Sequence, residues 1–155
     1  MTVGTERRLP AIAVLGAGIR GSIYADYFLE YPGFGTVAAV AEPDRTRLTA
    51  FAEKHGIPEE ARFTTYEEFL ARPKTCDAVL VCTQDRLHFD AAMGALEKGY
   101  HVFVEKPMSP DPRETLAMAA KAEERGLNLV VGHVLRFTPF FHKLKTVIDS
   151  GNIGE

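Results

Sequence analysis

The sequence has no tryptophan and only two cysteines among its 155 residues. Cys76 and Cys82 lack the spacing of a zinc site or of a disulfide framework, so we expect reduced thiols, a cytoplasmic setting and no bound metal. No apolar run approaches the roughly 18 residues that cross a bilayer, and residues 1–8 lack the apolar core of a signal peptide, so we expect no membrane association. The net charge of −3, without a dominant basic cluster, predicts no nucleic-acid partner.

What the chain does contain is a regular alternation of short apolar runs and helical patterns. The apolar runs predict strands at 11–15, 36–41, 78–82, 101–105 and 127–132, with a weaker one at 61–63. The helical patterns cover 19–31, 45–55, 86–98, 112–125 and 140–149, and Asp44 and Asp85 are candidate caps for the second and third of them. Strands that are apolar on both faces and alternate with helices are typical of an α/β fold with a doubly wound, mainly parallel sheet.

The first predicted strand runs directly into a G-x-G-x-x-G motif, Gly16-Ala-Gly18-Ile19-Arg20-Gly21. Gly16 would allow the tight turn, Gly18 would let the backbone approach a pyrophosphate, and Gly21 would let the following helix pack closely on the strand. The free N–H groups at the start of that helix would bind the anion. We therefore predict that residues 16, 18, 19, 20 and 21 bind a dinucleotide.

Glu42 ends the second predicted strand, about 20 residues after the last glycine of the motif. A carboxylate at this position accepts hydrogen bonds from the adenosine ribose hydroxyls and repels a 2′-phosphate, which favours NAD over NADP. Arg45 lies nearby and could pair with a 2′-phosphate, so NADP stays possible. The alternative interpretation of Glu42 is a solvated charge at the end of a strand.

Two further strand ends carry polar residues next to the predicted crevice. Thr83 follows the fourth strand and could contact the cofactor, whereas His88, in the first turn of the next helix, faces either the site or the sheet. Lys106 follows the fifth strand, where its ammonium could hydrogen-bond a substrate hydroxyl, stabilise an oxyanion or relay a proton. The alternative is a surface lysine paired with Glu105.

The last predicted strand is followed by His133 and Arg136. Both could reach the same crevice, because the carboxyl ends of parallel strands lie at one edge of the sheet. Arg136 could orient an oxygen-rich substrate through its forked donors. Otherwise both are packing or surface residues.

These motifs occur together in one order. They are Gly16-Ala-Gly18-Ile-Arg-Gly21, Ala41-Glu42-Pro43-Asp44, Thr83-Gln-Asp85-x-x-His88, Glu105-Lys106-Pro107 and Gly132-His133-x-x-Arg136-Phe137-x-Pro139. With them the chain resembles the N-terminal, Rossmann-type NAD(P)-binding domain of the glucose–fructose oxidoreductase / inositol dehydrogenase / rhizopine-catabolism (Gfo/Idh/MocA) family. Glu-Lys-Pro is the most specific of these motifs. Gln84 stands where the family usually has proline.

The resemblance implies NAD(P)-dependent oxidation or reduction of a CH–OH carbon in a sugar, cyclitol or related polyol. It implies that Lys106 is the catalytic residue beside the nicotinamide and the reacting hydroxyl. It also implies that Glu105 and Pro107 shape the cofactor pocket and that His88 lies near the nicotinamide end.

The resemblance also divides the chain. Residues 1–9 would be an N-terminal tail, 10–150 the dinucleotide-binding domain, and 151–155 the start of a linker to an absent C-terminal domain. In the family that domain supplies the substrate pocket and the oligomerisation sheet, so the full-length form would be a homo-oligomer and this chain an incomplete enzyme. The alternative is a stand-alone nucleotide-binding module without catalysis, such as a sensor or partner subunit. A methyltransferase or nucleotide-sugar enzyme on a related sheet fits less well, because neither has an evident need for Lys106.

Overall fold

A computed structural model describes residues 8–154 of the chain. Most of the predicted N-terminal tail, residues 1–7, and the final Glu155 of the predicted linker lie outside this range. Within it, no helix has the length and apolar character that crossing a membrane requires.

Twelve helices and strands alternate along the described chain. The strands are β1 Ala11–Leu15, β2 Thr36–Ala41, β3 Arg62–Phe63, β4 Ala78–Val81, β5 His101–Val104 and β6 Leu129–Val131. The helices are α1 Ile19–Glu30, α2 Arg45–Lys54, α3 Tyr66–Ala71, α4 His88–Glu97, α5 Pro112–Arg125 and α6 Pro139–Asp149. Short 3₁₀ turns occur at Pro32–Phe34, Glu59–Ala61, Asp85–Leu87 and Val134–Phe137.

The six strands form one sheet in the order β3-β2-β1-β4-β5-β6, and every pair is parallel. β1 lies between β2 and β4, so the chain reverses its direction across the sheet at β1. The predicted doubly wound sheet is thereby confirmed. In such a sheet ligands bind outside the carboxyl ends of the strands, at this point of reversal.

Apolar side chains cover both faces of the sheet. The buried apolar side chains form two clusters, a larger and a smaller one. In β1, Ala13 and Leu15 belong to the larger cluster, whereas Val14 between them belongs to the smaller cluster on the other face of the sheet. This division follows from the two-residue repeat of a strand. The smaller cluster includes Leu48 and Phe51 of α2. Burial on both faces explains why the strands are almost continuously apolar.

The structure departs from the sequence prediction at three places. α3 was not predicted, because it is only six residues long and buries a single side chain, Phe69. The prediction that Asp85 caps the next helix is wrong, since it lies in a 3₁₀ turn and α4 begins at His88. β6 starts later than predicted because the N–H of Leu127 donates to the carbonyl of Ala122 and closes α5.

Asp44 caps α2 as predicted, and α5 has a cap at each end. The Asp44 carboxylate accepts from the N–H of Arg47 at the start of α2, at 3.0 Å. The Asp111 carboxylate accepts from the N–H of Arg113 in α5, at 2.8 Å. Gly126 ends α5 in the left-handed conformation at φ 63°. These local hydrogen bonds satisfy backbone groups at the ends of α2 and α5.

Candidate functional site

The predicted site residues follow successive strands at one edge of the sheet. Reading across the sheet order, Glu42 follows β2, the glycine turn follows β1, Thr83 follows β4, Lys106 follows β5 and His133 follows β6. Neighbouring strands lie about 4.8 Å apart, so β2 and β5 are separated by roughly 14 Å. The order matches that of adenosine, pyrophosphate and nicotinamide along an extended dinucleotide.

The glycine turn has the geometry that the motif predicts. Gly16 has φ 95°, and a Cβ added there would lie 2.5 Å from the carbonyl oxygen of Cys82. A Cβ on Gly21 would lie 2.0 Å from the carbonyl oxygen of Gly16, so only glycine lets α1 approach this closely. A Cβ on Gly18 would meet no heavy atom within 4 Å. Gly18 therefore borders open space, at the position where a ligand would approach the backbone.

The start of α1 suits an anion. Its N-cap residue is Gly18, which has no side chain to accept from the first helical N–H groups, and its first turn contains no acidic residue. The backbone N–H groups of Ile19, Arg20 and Gly21 belong to this first turn. Unpaired N–H groups at the positive end of a helix dipole bind phosphate.

A cleft of about 530 Å³ opens beside this turn. Its lining residues come from the ends of β1, β2 and β4 and from the start of the unpredicted helix α3, and they include Gly16, Gly18, Glu42, Pro43, Arg47, Thr65, Tyr66 and Thr83. The Thr83 hydroxyl oxygen is buried and has no hydrogen-bond partner among residues 8–154. A buried polar atom without a partner fits a site that a polar ligand completes. The cleft therefore fits the adenosine and phosphate part of a dinucleotide.

Glu42 is 3% exposed and lines this cleft. Its Oε2 accepts the backbone N–H of Ala17 at 2.8 Å, which ties β2 to the glycine turn. Its Oε1 accepts the backbone N–H of Asp44 at 3.0 Å and two N–H groups of Arg47, Nη2 at 2.8 Å and Nε at 3.3 Å. Glu42 is thus a buried, ion-paired group rather than a solvated one.

Arg47 is a residue that the sequence prediction missed. It lies in the first turn of α2 and lines the cleft, whereas Arg45, the arginine considered from the sequence, does not line it. The hydrogen bond and charge of Glu42 raise the pKa of Arg47. The sequence did offer a signal for Arg47. It lies about one helical turn after the capping Asp44, and the first turn of α2 lies next to the end of β2.

The Glu105-Lys106-Pro107 turn is held from α1. The Tyr24 hydroxyl donates to Oε1 of Glu105, and the backbone N–H of Lys106 donates to Oε2 at 3.1 Å. Burial, followed by this hydrogen bond, raises the pKa of Tyr24 well above its usual value. The Lys106–Pro107 peptide bond is cis. Tyr24 was not predicted as a site residue, although its position three residues after Gly21 places it on the helix that starts at the glycine turn.

Lys106 itself is exposed, and no ion pair involving its ammonium occurs among the described residues. The alternative of an ion pair between Lys106 and Glu105 is therefore not what the structure contains: Tyr24 and a backbone N–H occupy the carboxylate of Glu105. Gly132 lies behind this carboxylate, since a Cβ added there would be 3.0 Å from its Oε1. The turn is packed from two sides, and its lysine side chain is left free.

His88 packs against the Glu105-Lys106-Pro107 turn from inside the protein. Its imidazole is 1% exposed, with Nδ1 2.7 Å from the carbonyl oxygen of Pro107 and Nε2 3.1 Å from that of Thr83. Because both ring nitrogens face backbone carbonyls, the imidazole connects the turn after β4 with the turn after β5. It does not line the cleft. Direct contact of His88 with a cofactor stays a prediction, and the observed contacts indicate a supporting position.

Cys82, at the end of β4, lies close to this network. Burial, followed by the charge of Glu105, raises the pKa of its thiol to about 12. The thiol is therefore protonated at neutral pH. Cys82 lines the cleft as an uncharged residue. Among residues 8–154, no group of three or more His, Cys, Asp or Glu side chains could hold a metal ion.

His133 and Arg136 are exposed and follow β6. The N–H of Gly132 donates to the carbonyl of Val104 at 2.9 Å, which extends the β5–β6 pairing to the site edge. The N–H of Arg136 donates to the carbonyl of His133 at 3.0 Å and closes the 3₁₀ turn Val134–Phe137. Neither residue lines the adenosine-side cleft. They lie beyond Lys106 in the strand order.

Comparison with known proteins gives consistent results. A family model described as the oxidoreductase family, NAD-binding Rossmann fold (GFO_IDH_MocA), matches residues 11–133. An inositol 2-dehydrogenase of Corynebacterium glutamicum is 30% identical over 145 residues, which are 93% of this chain and 42% of the relative. A trans-1,2-dihydrobenzene-1,2-diol dehydrogenase of Macaca fascicularis is 37% identical over 119 residues, or 77% of this chain and 35% of the relative.

Solved structures agree with these matches. A 3-ketoreductase from Actinomadura kijaniata in complex with NADP superposes with a TM-score of 0.80 at 29% identity, covering 96% of this chain and 46% of that structure. The chain thus spans less than half the length of the relatives it matches.

Proposed function

Because this chain belongs to the Gfo/Idh/MocA oxidoreductase family and is its NAD-binding Rossmann domain, we propose that it is the cofactor-binding half of an NAD(P)-dependent dehydrogenase acting on CH–OH groups. The proposed substrate is a sugar, cyclitol or related polyol. The activities of the relatives, an inositol dehydrogenase and a 3-ketoreductase among them, support this substrate class. The observation that carries the proposal is the exposed Lys106 on a fixed turn, two strands away from the glycine turn.

The residues of the cleft fit a nicotinamide dinucleotide. Backbone N–H groups of Ile19, Arg20 and Gly21 would bind the pyrophosphate, and the unpartnered Thr83 hydroxyl would bind the cofactor further along the strand ends. Glu42 lies at the adenosine end. When bound, the nicotinamide ring supplies the chemistry of accepting or giving a hydride.

We propose that Lys106 is the catalytic residue on this chain. Its ammonium can donate a hydrogen bond to the substrate oxygen. This hydrogen bond would stabilise the negative charge on that oxygen, which is present once the hydroxyl has given its proton to a base and before the carbon loses hydride, or which develops when a carbonyl carbon gains hydride. The fixed turn beneath it lowers the entropy lost in positioning. Glu105 and His88 act through that turn, and His133 and Arg136 are proposed to orient the substrate hydroxyls.

The relatives are more than twice as long as this chain, and the missing share is where we place the substrate walls and the oligomer interface. We propose that the full-length form is a homo-oligomer. The free thiols of Cys76 and Cys82 support the proposal that the enzyme is cytoplasmic. The 155-residue chain should bind cofactor and turn over poorly.

Amine labelling with mass spectrometry tests the position of Lys106. Reductive methylation of the chain is compared with no ligand, with ADP-ribose and with NADH, and Lys143 on the exposed α6 is the internal control. We expect NADH to slow the labelling of Lys106, ADP-ribose to have a smaller effect, and Lys143 to be unaffected. If calorimetry detects no binding of NADH or NADPH, the proposed function is wrong. Binding without protection of Lys106 would refute only its catalytic assignment.

A further inference from the structure

We propose that Tyr24 is a positioning residue for Lys106: its hydroxyl holds the Glu105 carboxylate and thereby keeps the lysine ammonium free for the substrate. The inference rests on the proposed function, because it concerns the residue to which that function assigns catalysis. Tyr24 does not line the cofactor cleft, so its role is exerted through Glu105 alone.

Glu105 is a buried carboxylate that directly precedes Lys106 in the chain. It is 6% exposed, and a carboxylate at such a depth is destabilising unless hydrogen-bond donors satisfy its oxygens. Oε1 accepts the Tyr24 hydroxyl, and Oε2 accepts the backbone N–H of Lys106 at 3.1 Å. Tyr24 is thus the one side chain among residues 8–154 that donates a hydrogen bond to this carboxylate.

The Tyr24 ring is packed in the position from which its hydroxyl reaches Glu105. It contacts Phe103 of β5 edge-on, with the ring centroids 4.9 Å apart. The backbone at Gly132 also lies close to the carboxylate, since a Cβ added there would be 3.0 Å from Oε1 and 3.1 Å from the Phe103 ring. A ring that packing already holds loses little further entropy when its hydroxyl donates. The bond between Tyr24 and Glu105 is therefore well defined.

Lys106 is the cation that a carboxylate without this donor would attract. Its side chain is exposed, and its ammonium forms no ion pair within the described range of the chain. A buried acceptor that loses its donor is strongly destabilising, and an ammonium on the next residue can replace that donor. An ammonium held by Glu105 would donate less readily to a substrate oxygen. Tyr24 therefore prevents an ion pair that would compete with catalysis.

Arg20 is the other cation near this network. It is exposed and lies in the first turn of α1, one helical turn before Tyr24. Burial raises the pKa of Tyr24, and the charge of Arg20 opposes that rise, so the guanidinium lies near the hydroxyl. Its forked donors could also bind a carboxylate that has lost Tyr24. The two cations can be distinguished, because only recruitment of Lys106 lowers the reactivity of that lysine.

The test measures how fast Lys106 is reductively methylated, relative to Lys143 on the exposed α6, in the 155-residue chain without ligand. The neutral amine is the reactive form, and an opposite charge nearby favours the ammonium. Tyr24→Phe removes only the hydroxyl and should lower the ratio of the two rates by about threefold to tenfold, as expected of a partly exposed ion pair. Adding Glu105→Gln to Tyr24→Phe should return the ratio to within about twofold of the wild-type value, because a carboxamide carries no charge.

Three further variants separate this role from a loss of stability. Tyr27→Phe removes a hydroxyl from the exposed side of α1, and Phe69→Leu loosens the packing against Tyr100, which precedes β5 and so lies at the end of the strand away from the turn. Neither should change the ratio. Replacing Tyr24 by para-aminophenylalanine places an N–H donor where the hydroxyl was, and this variant should keep the wild-type ratio.

Cofactor affinity gives an independent measurement. Because Tyr24 does not line the cleft, the Kd of Tyr24→Phe for NADH, measured by calorimetry, should stay within about threefold of the wild-type value. A loss greater than tenfold would place Tyr24 at the cofactor and overturn its assignment as a positioning residue.

Other results would also overturn the inference. They are an unchanged ratio in Tyr24→Phe, including the case in which Arg20 binds the carboxylate instead, an equal fall in Phe69→Leu, or a fall that Glu105→Gln does not reverse. Circular dichroism checks that each variant is folded. If Tyr24→Phe does not fold, para-fluorophenylalanine at this position, which fills more of the space of the hydroxyl and donates nothing, decides the outcome in the same way. The ratio is measured without cofactor, so binding of neither NADH nor NADPH by the wild-type chain refutes the proposed function separately.

Discussion

The glycine turn permits a substitution that separates ligand binding from folding. Gly18 has φ −71° and ψ −168°, which alanine adopts without strain, and an added Cβ would meet no heavy atom within 4 Å. Alanine is a poorer N-cap residue than glycine, which destabilises the folded chain. Alanine also lowers the conformational entropy of the unfolded chain, which stabilises the folded one, so the two effects partly cancel. We therefore expect Gly18→Ala to change the free energy of unfolding by about 1 kcal/mol or less.

The same methyl group would occupy the space through which a pyrophosphate approaches the backbone. Loss of one charge-assisted hydrogen bond costs about 2 kcal/mol, which corresponds to about a thirtyfold increase in Kd for NADH. Calorimetry or the fluorescence of bound NADH measures this change. Urea denaturation of the same samples measures stability.

Two other glycines serve as controls. Gly33 lies in an exposed turn, and an added Cβ there would also meet open space, so Gly33→Ala should alter neither affinity nor stability. An added Cβ at Gly21 would lie 2.0 Å from a backbone oxygen, so Gly21→Ala should lower the free energy of unfolding by about 3 kcal/mol. If Gly18→Ala binds NADH as tightly as the wild-type chain, this turn is not the phosphate site.

Three further outcomes follow from the buried network. Tyr24→Phe removes the hydroxyl donor to Glu105 and should lower stability by about 2 kcal/mol, measured by urea denaturation, whereas Tyr27→Phe, on the exposed side of α1, should have little effect. His88→Ala should lower it by about 2–5 kcal/mol, since it removes a buried ring and leaves the backbone carbonyl that accepts its N–H without that partner. The Cys82 thiol should react with a thiol reagent at pH 8 much more slowly in the folded chain than after unfolding, because its pKa is raised to about 12.

The raised pKa of Cys82 also predicts how stability depends on pH. The thiol ionises near its ordinary pKa of about 8.5 in the unfolded chain and near 12 in the folded one. Its contribution is therefore fully present below about pH 8.5 and is lost as the pH rises toward 12. Cys82→Ala should reduce the slope of this alkaline loss in denaturation curves between pH 8.5 and 11. An unchanged slope would show that the thiol is more solvated than the structure indicates.

Much of the fold could be predicted from local patterns. The ends of β1 and β2 and the start and end of α5 agree with the sequence, because apolar runs and caps such as Asp111 and Gly126 act within a few residues. α3 could not be predicted, since a six-residue helix with one buried side chain carries too little periodicity. The start of α3 nevertheless lines the cleft, so part of the site comes from a helix that the sequence pattern does not reveal.

The sequence by itself determined the elements, the glycine turn and the residues that end each strand, because these depend on chain neighbours and on spacing. Only the tertiary structure decided what those residues contact. It brought Arg47 against Glu42 at the cleft, Tyr24 against Glu105 across 81 residues, and His88 between two backbone carbonyls. The physical reason is that a side chain's partners are set by which strands become neighbours. In this sheet β1 lies beside β4, and no local pattern encodes that pairing.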